Sequence, residues 1–417
     1  MNKKMPISLA IAIIFIVMTV TFSLTMVYSQ RLFDKNVTSV QEKYATFDKL
    51  SKLDIVVRNN FNGTINDDTL MDTLAAGYIA GLGDKYSKYY TSAQYTEMVR
   101  REEGKSISIG VETVIDSSSG YAKVITVYPN SPAAEAGIAV GDYITMIGET
   151  STRGLTMEKI KNLLYANEGE GVLITYVSHL NGEEKTADIV RHLYTIPTVT
   201  TELVGENGYV KITNITDNTP VEFDSKINSL KSNGAKTLVF DLRNINSNNY
   251  NALHRILDIL LPGGTLIYGN YNDGTTKVLY TSDPREENMP MVVIVNENTA
   301  GAGEMFAALL RESGKAKIVG TETAGRGTLQ QVFVQPDGSA IEITVASLTT
   351  AAGFDYNGTG ITPDYEATLS SDQVQNYYML TIEDDTQILR ALEVADGMNS
   401  SSDSQQSSSS SSSESAE

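Results

Sequence analysis

The β-branched run Val292-Val293-Ile294-Val295 gives way to the small and polar residues Asn296-Glu297-Asn298-Thr299-Ala300-Gly301-Ala302-Gly303-Glu304, and then to Met305-Phe306-Ala307-Ala308-Leu309-Leu310. The first part predicts a buried strand, the last a helix, and the residues between them a tight strand-to-helix turn. Other segments repeat the alternation. Gly208 to Ile212 reads as a strand, Phe223 to Asn233 as a helix, and Lys236 to Arg243 as the next strand. Strands alternating with helices point to a mostly parallel α/β core.

With 417 residues, 41% of them apolar, the chain has room for two to three domains with sizeable cores. A formal net charge of −19 and the lack of a basic patch argue against nucleic acid as a partner. Cysteine is absent, which removes disulfides, iron–sulfur clusters, thiolate zinc sites and thiol nucleophiles together. Ile7 to Tyr28 is uncharged and mostly apolar, behind Lys3 and Lys4. At a rise of 1.5 Å per residue it spans roughly 30 Å, the thickness of a bilayer core. The preceding lysines and the acidic bulk predict a single-pass anchor in the cell membrane, with the amino terminus cytoplasmic and the body outside. A cleaved signal peptide is the competing reading, although no Ala-x-Ala site follows.

The turn at Gly301 is of the kind on which hydrolases mount a serine. Asn296, Thr299, Ala300, Ala302 and Glu304 fall on the motif Asn-x-x-Ser/Thr-Ala-Ser-Ala-Ser-Glu, and the segment resembles the carboxy-terminal processing (tail-specific) peptidases, serine peptidase family S41. Further upstream, Ser131-Pro132-Ala133-Ala134-Glu135-Ala136-Gly137-Ile138, followed by Val140-Gly141-Asp142-Tyr143-Ile144, resembles the core motif of a PDZ domain. Its physics is a short helix entered through proline and closed by glycine, then a turn into a strand. Ser108-Ile109-Gly110-Val111 sits where PDZ domains of this family hold a Gly-Ile-Gly-apolar loop. The resemblance implies that backbone amides there receive a peptide's terminal carboxylate while the ligand adds a strand. Ser108 departs from the usual glycine. Thr156 to Ala166 reads as a second helix, Gly171 to Tyr176 as a strand, and Asn181-Gly182 as a hairpin turn.

The expected organisation is a cytoplasmic stub and transmembrane anchor (1–30), a helical region (31–103), a PDZ-like β-rich domain (104–193), an S41 peptidase-like α/β domain (194–395) and a disordered serine-rich tail (396–417).

The resemblance also locates the chemistry. In the family a middle serine is the nucleophile and a neutral lysine its base, with Gln330's counterpart orienting that base. Here the serine position holds Gly301, and Thr323-Ala324-Gly325-Arg326-Gly327-Thr328-Leu329-Gln330 puts Arg326 at the lysine position. Lysine can be desolvated until it serves as a base, whereas arginine stays protonated in proteins. The family's oxyanion loop, Asp-Leu-Arg-x-Asn-x-Gly-Gly, corresponds to Asp241-Leu242-Arg243-Asn244-Ile245-Asn246-Ser247-Asn248, with Ser247 and Asn248 in place of both glycines. Thr299 reads as a turn residue, and Ser313 lies beyond the helix. His179, His192 and His254 suggest no triad, and His254–Asp258 reads as a helical neighbour pair. Metal motifs are absent and no cofactor is expected. Glu383-Asp384-Asp385 reads as the start of a helix.

Losing both members of a dyad removes most of a hydrolase's rate. The expectation is therefore a membrane-anchored pseudopeptidase that binds protein carboxyl termini through Ser108, Ile109, Gly110 and Val111, with an active paralogue as a conjectured partner. The alternatives are an active endopeptidase with a relocated catalytic group, tested through Thr299, and a cavity for a small ligand, as in retinoid-carrying relatives of the fold.

Overall fold

The computed structural model describes residues 7–411 apart from Ala166 and Arg285, with the side chains of residues 7–12, 31–46 and 400–411 left aside. Residues 1–74 and 75–417 form two compact units. In the first, helix α1 (Ile7–Asn60) is continuous and contains, over Ile13–Gln30, a stretch long and apolar enough to cross a membrane. Arg58 near its end pairs with Asp54 and with Asp67, the first residue of α2 (Asp67–Ala80).

The second unit continues with β1 (Lys88–Tyr90) and α3 (Ser92–Glu102), so the region expected to be helical over 31–103 is interrupted by a short strand. Thr91 caps α3 and Gln94 reaches back to it in a capping box. Next come β2 (Lys105–Ser108), β3 (Val111–Ile115), β4 (Ala122–Val127), α4 (Pro132–Glu135), β5 (Tyr143–Ile147), β6 (Thr150–Ser151), α5 (Met157–Leu164), β7 (Gly171–Val177), β8 (Glu184–Val190) and β9 (His192–Thr195). An antiparallel sheet in the order β3-β4-β5-β7-β8 covers a core of Ile109, Val124, Ile144, Ile160 and Ile174. Strands β2 and β9 pair with each other and bracket this module. Proline enters α4 behind the Ser131 cap, and Gly137, at φ +77°, closes it, as the motif predicts. Ala166, placed at the end of the second predicted helix, lies outside the described residues.

The remaining elements are β10 (Val199–Val204), β11 (Asn207–Ile212), α6 (Thr219–Ser232), β12 (Thr237–Asp241), β13 (Asn246–Ser247), α7 (Tyr250–Leu260), β14 (Gly264–Tyr271), β15 (Thr276–Ser282), β16 (Met291–Val295), β17 (Ala300–Gly301), α8 (Ala302–Glu312), β18 (Ala316–Gly320), β19 (Thr328–Val334), β20 (Ala340–Thr350), β21 (Tyr365–Glu366), α9 (Ser371–Gln375) and α10 (Thr386–Ser411). One sheet runs β10-β11-β12-β16-β18-β21, parallel from β11 onward. Buried on both faces, β16 is a continuous apolar run and β12 carries one at its centre, Leu238-Val239-Phe240, as parallel strands between helices tend to. Helices α6, α7 and α8 cover one face around Phe223, Phe240, Leu253 and Phe306. On the other face α10 seats Ile388, Ala391, Leu392 and Ala395 against Val239, Val292 and Ile294.

A second, antiparallel sheet, β1-β20-β14-β15 with β19 on β20, accompanies the mostly parallel one, which is as expected. The serine-rich segment expected to be disordered from residue 396 is helical through Ser411, because it extends a helix already docked on the sheet and tied by Asn399 to the Thr237 hydroxyl at 2.5 Å. Residues 412–417 of that segment lie outside the described residues. The acids Glu383-Asp384-Asp385 precede α10 rather than begin it, and Asp385 accepts the amides of Gln387 and Ile388 as its cap.

Candidate active site and peptide-binding loop

Strand β16 delivers the chain to a turn in which the Asn296 amide donates to Thr299 Oγ1 at 3.0 Å, and Thr299 donates to the Leu242 carbonyl. Gly301 follows at φ 64°, ψ −116° and is the N-cap of α8. That backbone is the strained elbow on which a nucleophile is raised, and it disfavours any residue with a Cβ. Glu304, fully buried, holds the turn. Its Oε2 accepts the amides of Gly301 (3.0 Å) and Arg326 (2.7 Å), and its Oε1 accepts the Gly325 amide (2.7 Å) and the Thr323 hydroxyl (2.5 Å). One carboxylate thus staples the elbow to the loop carrying Arg326.

Arg326 is 8% exposed, and its Cδ lies 3.6 Å from a Cβ built on Gly301. Nη1 donates to Asn246 Oδ1 at 2.7 Å and Nη2 to Gln330 Oε1 at 2.6 Å, while the guanidinium lies over the Tyr86 ring. Gln330 passes the network on to the hydroxyls of Thr328 and Thr344, and Thr344 donates to Asp84. Burial alone raises the pKa of Asp84, but hydrogen bonds from Ser87, Thr344 and the Tyr86 amide, with the charge of Arg326, hold it below the usual carboxylate value. A guanidinium offers donors only, so Arg326 can bind and orient a group here but offers no lone pair to take a proton.

The oxyanion-loop equivalent is closed onto the elbow. Asn246 and Ser247 pair in parallel with Ala300 and Gly301, and a Cβ built on Gly301 would fall well inside contact distance of the Ser247 carbonyl oxygen. Ser247 is itself tied down, its hydroxyl donating to the Ile215 carbonyl at 2.9 Å. Asn248 donates to Glu342 Oε1, and Glu342 Oε2 accepts the Tyr90 hydroxyl at 2.7 Å. Asn249 caps α7 and donates to both Glu102 and Asp217.

Burial, reinforced by the charges of Asp217 and Glu342 and opposed by the Asn249 hydrogen bond, raises the pKa of Glu102. The folded state then holds more protons than the unfolded one above the ordinary glutamate range, so Glu102 costs stability as pH rises through its folded value. Glu102→Gln is therefore expected to melt at a higher temperature than the parent at neutral pH, the difference shrinking as pH falls toward 4. Thermal melts at several pH values check this, and a difference that grows on acidification rejects it.

Gly301, Arg326, Gln330, Ser247 and Asn248 thus come together from distant positions. Other candidates stay apart. Thr299 is fully buried with its hydroxyl engaged at Leu242, and Ser313 caps the far end of α8. His179 meets Asp142, and His192 lies 3.6 Å from Glu135. The expected His254–Asp258 pair gives way to other partners: His254 reaches the Thr281 carbonyl and stacks on Tyr280, while Asp258 accepts from Ser282 and the Asp283 amide. Sequence reasoning assigned no role to Glu304, Tyr86, Asp84 or Glu342. Glu304 left a signal, as an acid wedged into an otherwise apolar helix start.

In the β-rich module, β3 ends its sheet and α5 packs against it, leaving a strand edge beside a helix. Ser108 to Val111 form the loop entering that edge. The Ile109 carbonyl accepts the Ala133 amide at 2.7 Å, and the Gly110 carbonyl accepts the Tyr128 amide at 2.9 Å. Gly110 takes φ +87° against Ser131, where a Cβ has no room.

Residues 206–367 match the profile of Peptidase family S41, and residues 123–177 that of a PDZ domain. The chain is 28% identical over 320 residues to a carboxyl-terminal-processing protease of a Picosynechococcus strain, covering 76% of this chain and 77% of that one. It is 29% identical over 326 residues to the carboxy-terminal processing protease CtpA of Bacillus subtilis, covering 78% and 69%. A crystal structure of a putative S41 protease from Bacteroides fragilis superposes with a TM-score of 0.54 at 19% identity, covering 81% of this chain and 93% of that one, a likeness of fold.

Proposed function

Since residues 206–367 carry a peptidase family S41 domain and residues 123–177 lie in a PDZ domain, we propose that this protein is a membrane-anchored pseudopeptidase that binds protein carboxyl termini outside the cytoplasm without cutting them. The observation that carries the reading is the elbow at Gly301. It has no side-chain oxygen, and the Ser247 carbonyl stands where a side chain would begin. Arg326 beside it supports the same reading, because a permanently protonated guanidinium cannot act as the base. The apolar stretch Ile13–Gln30 supports the anchor, which alkaline extraction of membranes and protease protection of the acidic body would check.

The named relatives are proteases, which favours the runner-up, a working peptidase with a relocated group. The enclosed hydroxyl of Thr299 counts against it.

Incubation of the full chain, in detergent or lipid discs, with an unstructured protein substrate separates the two. The expected result is no fragments by mass spectrometry, together with tighter binding of a peptide with a free apolar carboxyl end than of its amidated twin. Turnover lost on Thr299→Ala would establish the runner-up instead.

A further inference from the structure

We propose that the carboxylate loop of the PDZ domain is latched by its own serine, and that Ser108 and Tyr194 set how strongly the domain reads a terminal carboxylate. This rests on the reading that the loop Ser108–Val111 takes a peptide's carboxyl end. A carboxylate captured by such a loop needs amide hydrogens pointing at it. The central one, on Gly110, is already committed: it donates to Ser108 Oγ at 3.0 Å. That oxygen also shares a hydrogen bond of 2.8 Å with the Tyr194 hydroxyl.

The latch sits behind the loop, out of solvent. Ser108 is 3% and Tyr194 5% exposed, and the Tyr194 ring lies against Tyr128, whose own amide is bonded to the Gly110 carbonyl. Ser108 and Tyr194 lie diagonally in the β2–β9 bracket, in which Ser106 faces Tyr194 and Ser108 faces His192, so the strands that bracket the module also position the latch. On the loop's other side Ser108 bridges to Tyr165, the residue that ends α5. The serine hydroxyl thus occupies the hydrogen that a ligand carboxylate must take, and binding requires the Gly110 peptide plane to turn away from it. With the glycine expected at position 108, no side chain could hold that hydrogen.

An ionised acceptor forms a stronger hydrogen bond than a neutral hydroxyl, so freeing the Gly110 amide is worth about tenfold in affinity for a free carboxyl end and nothing for an amidated one. The test measures binding of a peptide with an apolar carboxyl end, and of its amidated twin, to the full chain in lipid discs. The parent protein is compared with Ser108→Ala, which removes the latch without adding backbone freedom, and with Tyr194→Phe, which keeps the ring and removes only its hydroxyl.

The expected result is about tenfold tighter binding of the acid by Ser108→Ala, a smaller gain by Tyr194→Phe, and unchanged binding of the amide. Because the acid-to-amide ratio is read, a general loosening of the module does not imitate the effect. A parent that prefers the acid while both variants leave the ratio unchanged or lower overturns the latch and leaves the carboxylate reading intact. Equal binding of acid and amide by all three proteins removes the carboxylate reading, and the latch with it. Tyr194→Phe keeps the question decidable should Ser108→Ala fail to fold.

Discussion

Gly301→Ser is expected to lower the melting temperature of the peptidase-like domain and to restore no cutting. Two costs add. A residue with a Cβ at positive φ loses about 1–2 kcal/mol. Forcing an atom into a filled site costs about 1–3 kcal/mol more, since the Ser247 carbonyl must withdraw and with it the β13–β17 pairing. The sum corresponds to a drop of roughly 5–15 °C for a domain of this size. Calorimetry on the parent, Gly301→Ser and Gly301→Ala checks it, because alanine brings the same Cβ without the hydroxyl and is expected to match most of the loss. The double variant Gly301→Ser, Arg326→Lys is expected to remain without turnover, since the oxyanion-loop equivalent still lies across the elbow. A serine variant that melts like the parent, or cleaves substrate, sinks this account of the site.

A larger loss is expected on removing the carboxylate that holds the elbow. Glu304→Ala leaves the amides of Gly301, Gly325 and Arg326 and the Thr323 hydroxyl without an acceptor, in a place where the side chain is fully buried. Each orphaned buried donor costs about 1–3 kcal/mol, and since the four share one partner their sum is sub-additive, about 4–6 kcal/mol in all. Glu304→Gln keeps the shape but turns one acceptor into a donor facing donors, so it is expected to fall between parent and alanine. Urea midpoints in the order parent, glutamine, alanine support the staple. A Glu304→Ala midpoint within experimental error of the parent rejects it.

The parts of the fold that sequence reasoning reached are those whose information is local. The β-branched run 292–295 has the composition of a strand buried on both faces, and the helix behind it is continuously apolar from Met305 to Leu310. Ser131-Pro132 and Gly137 mark both ends of α4 within eight residues. The antiparallel sheet escaped because its long strand β20 has most of its residues half-buried and mixes Glu342, Thr344 and Ser347 with apolar residues, so no clean alternation appears. The tail escaped because composition reports a segment's own poverty of apolar groups and not the helix that it prolongs.

At the site, the substituted positions were visible because a motif aligns them, whereas the contacts that organise them are long-range. Glu304 meets Thr323, Gly325 and Arg326 only once β18 has returned alongside β16. His254 shows the reverse error: a plausible neighbour four residues away lost to a carbonyl on the adjoining strand.

The β13–β17 contact also bears on how such a lineage can change. A glycine at the elbow accommodates the positive φ, and the Ser247 carbonyl lies where a side chain would begin, so a single change to serine meets an obstacle in the neighbouring loop. On the proposed reading that obstacle works as a ratchet. A variant that cuts would first have to move Ser247, and selection for cutting would offer no reward for that move on its own.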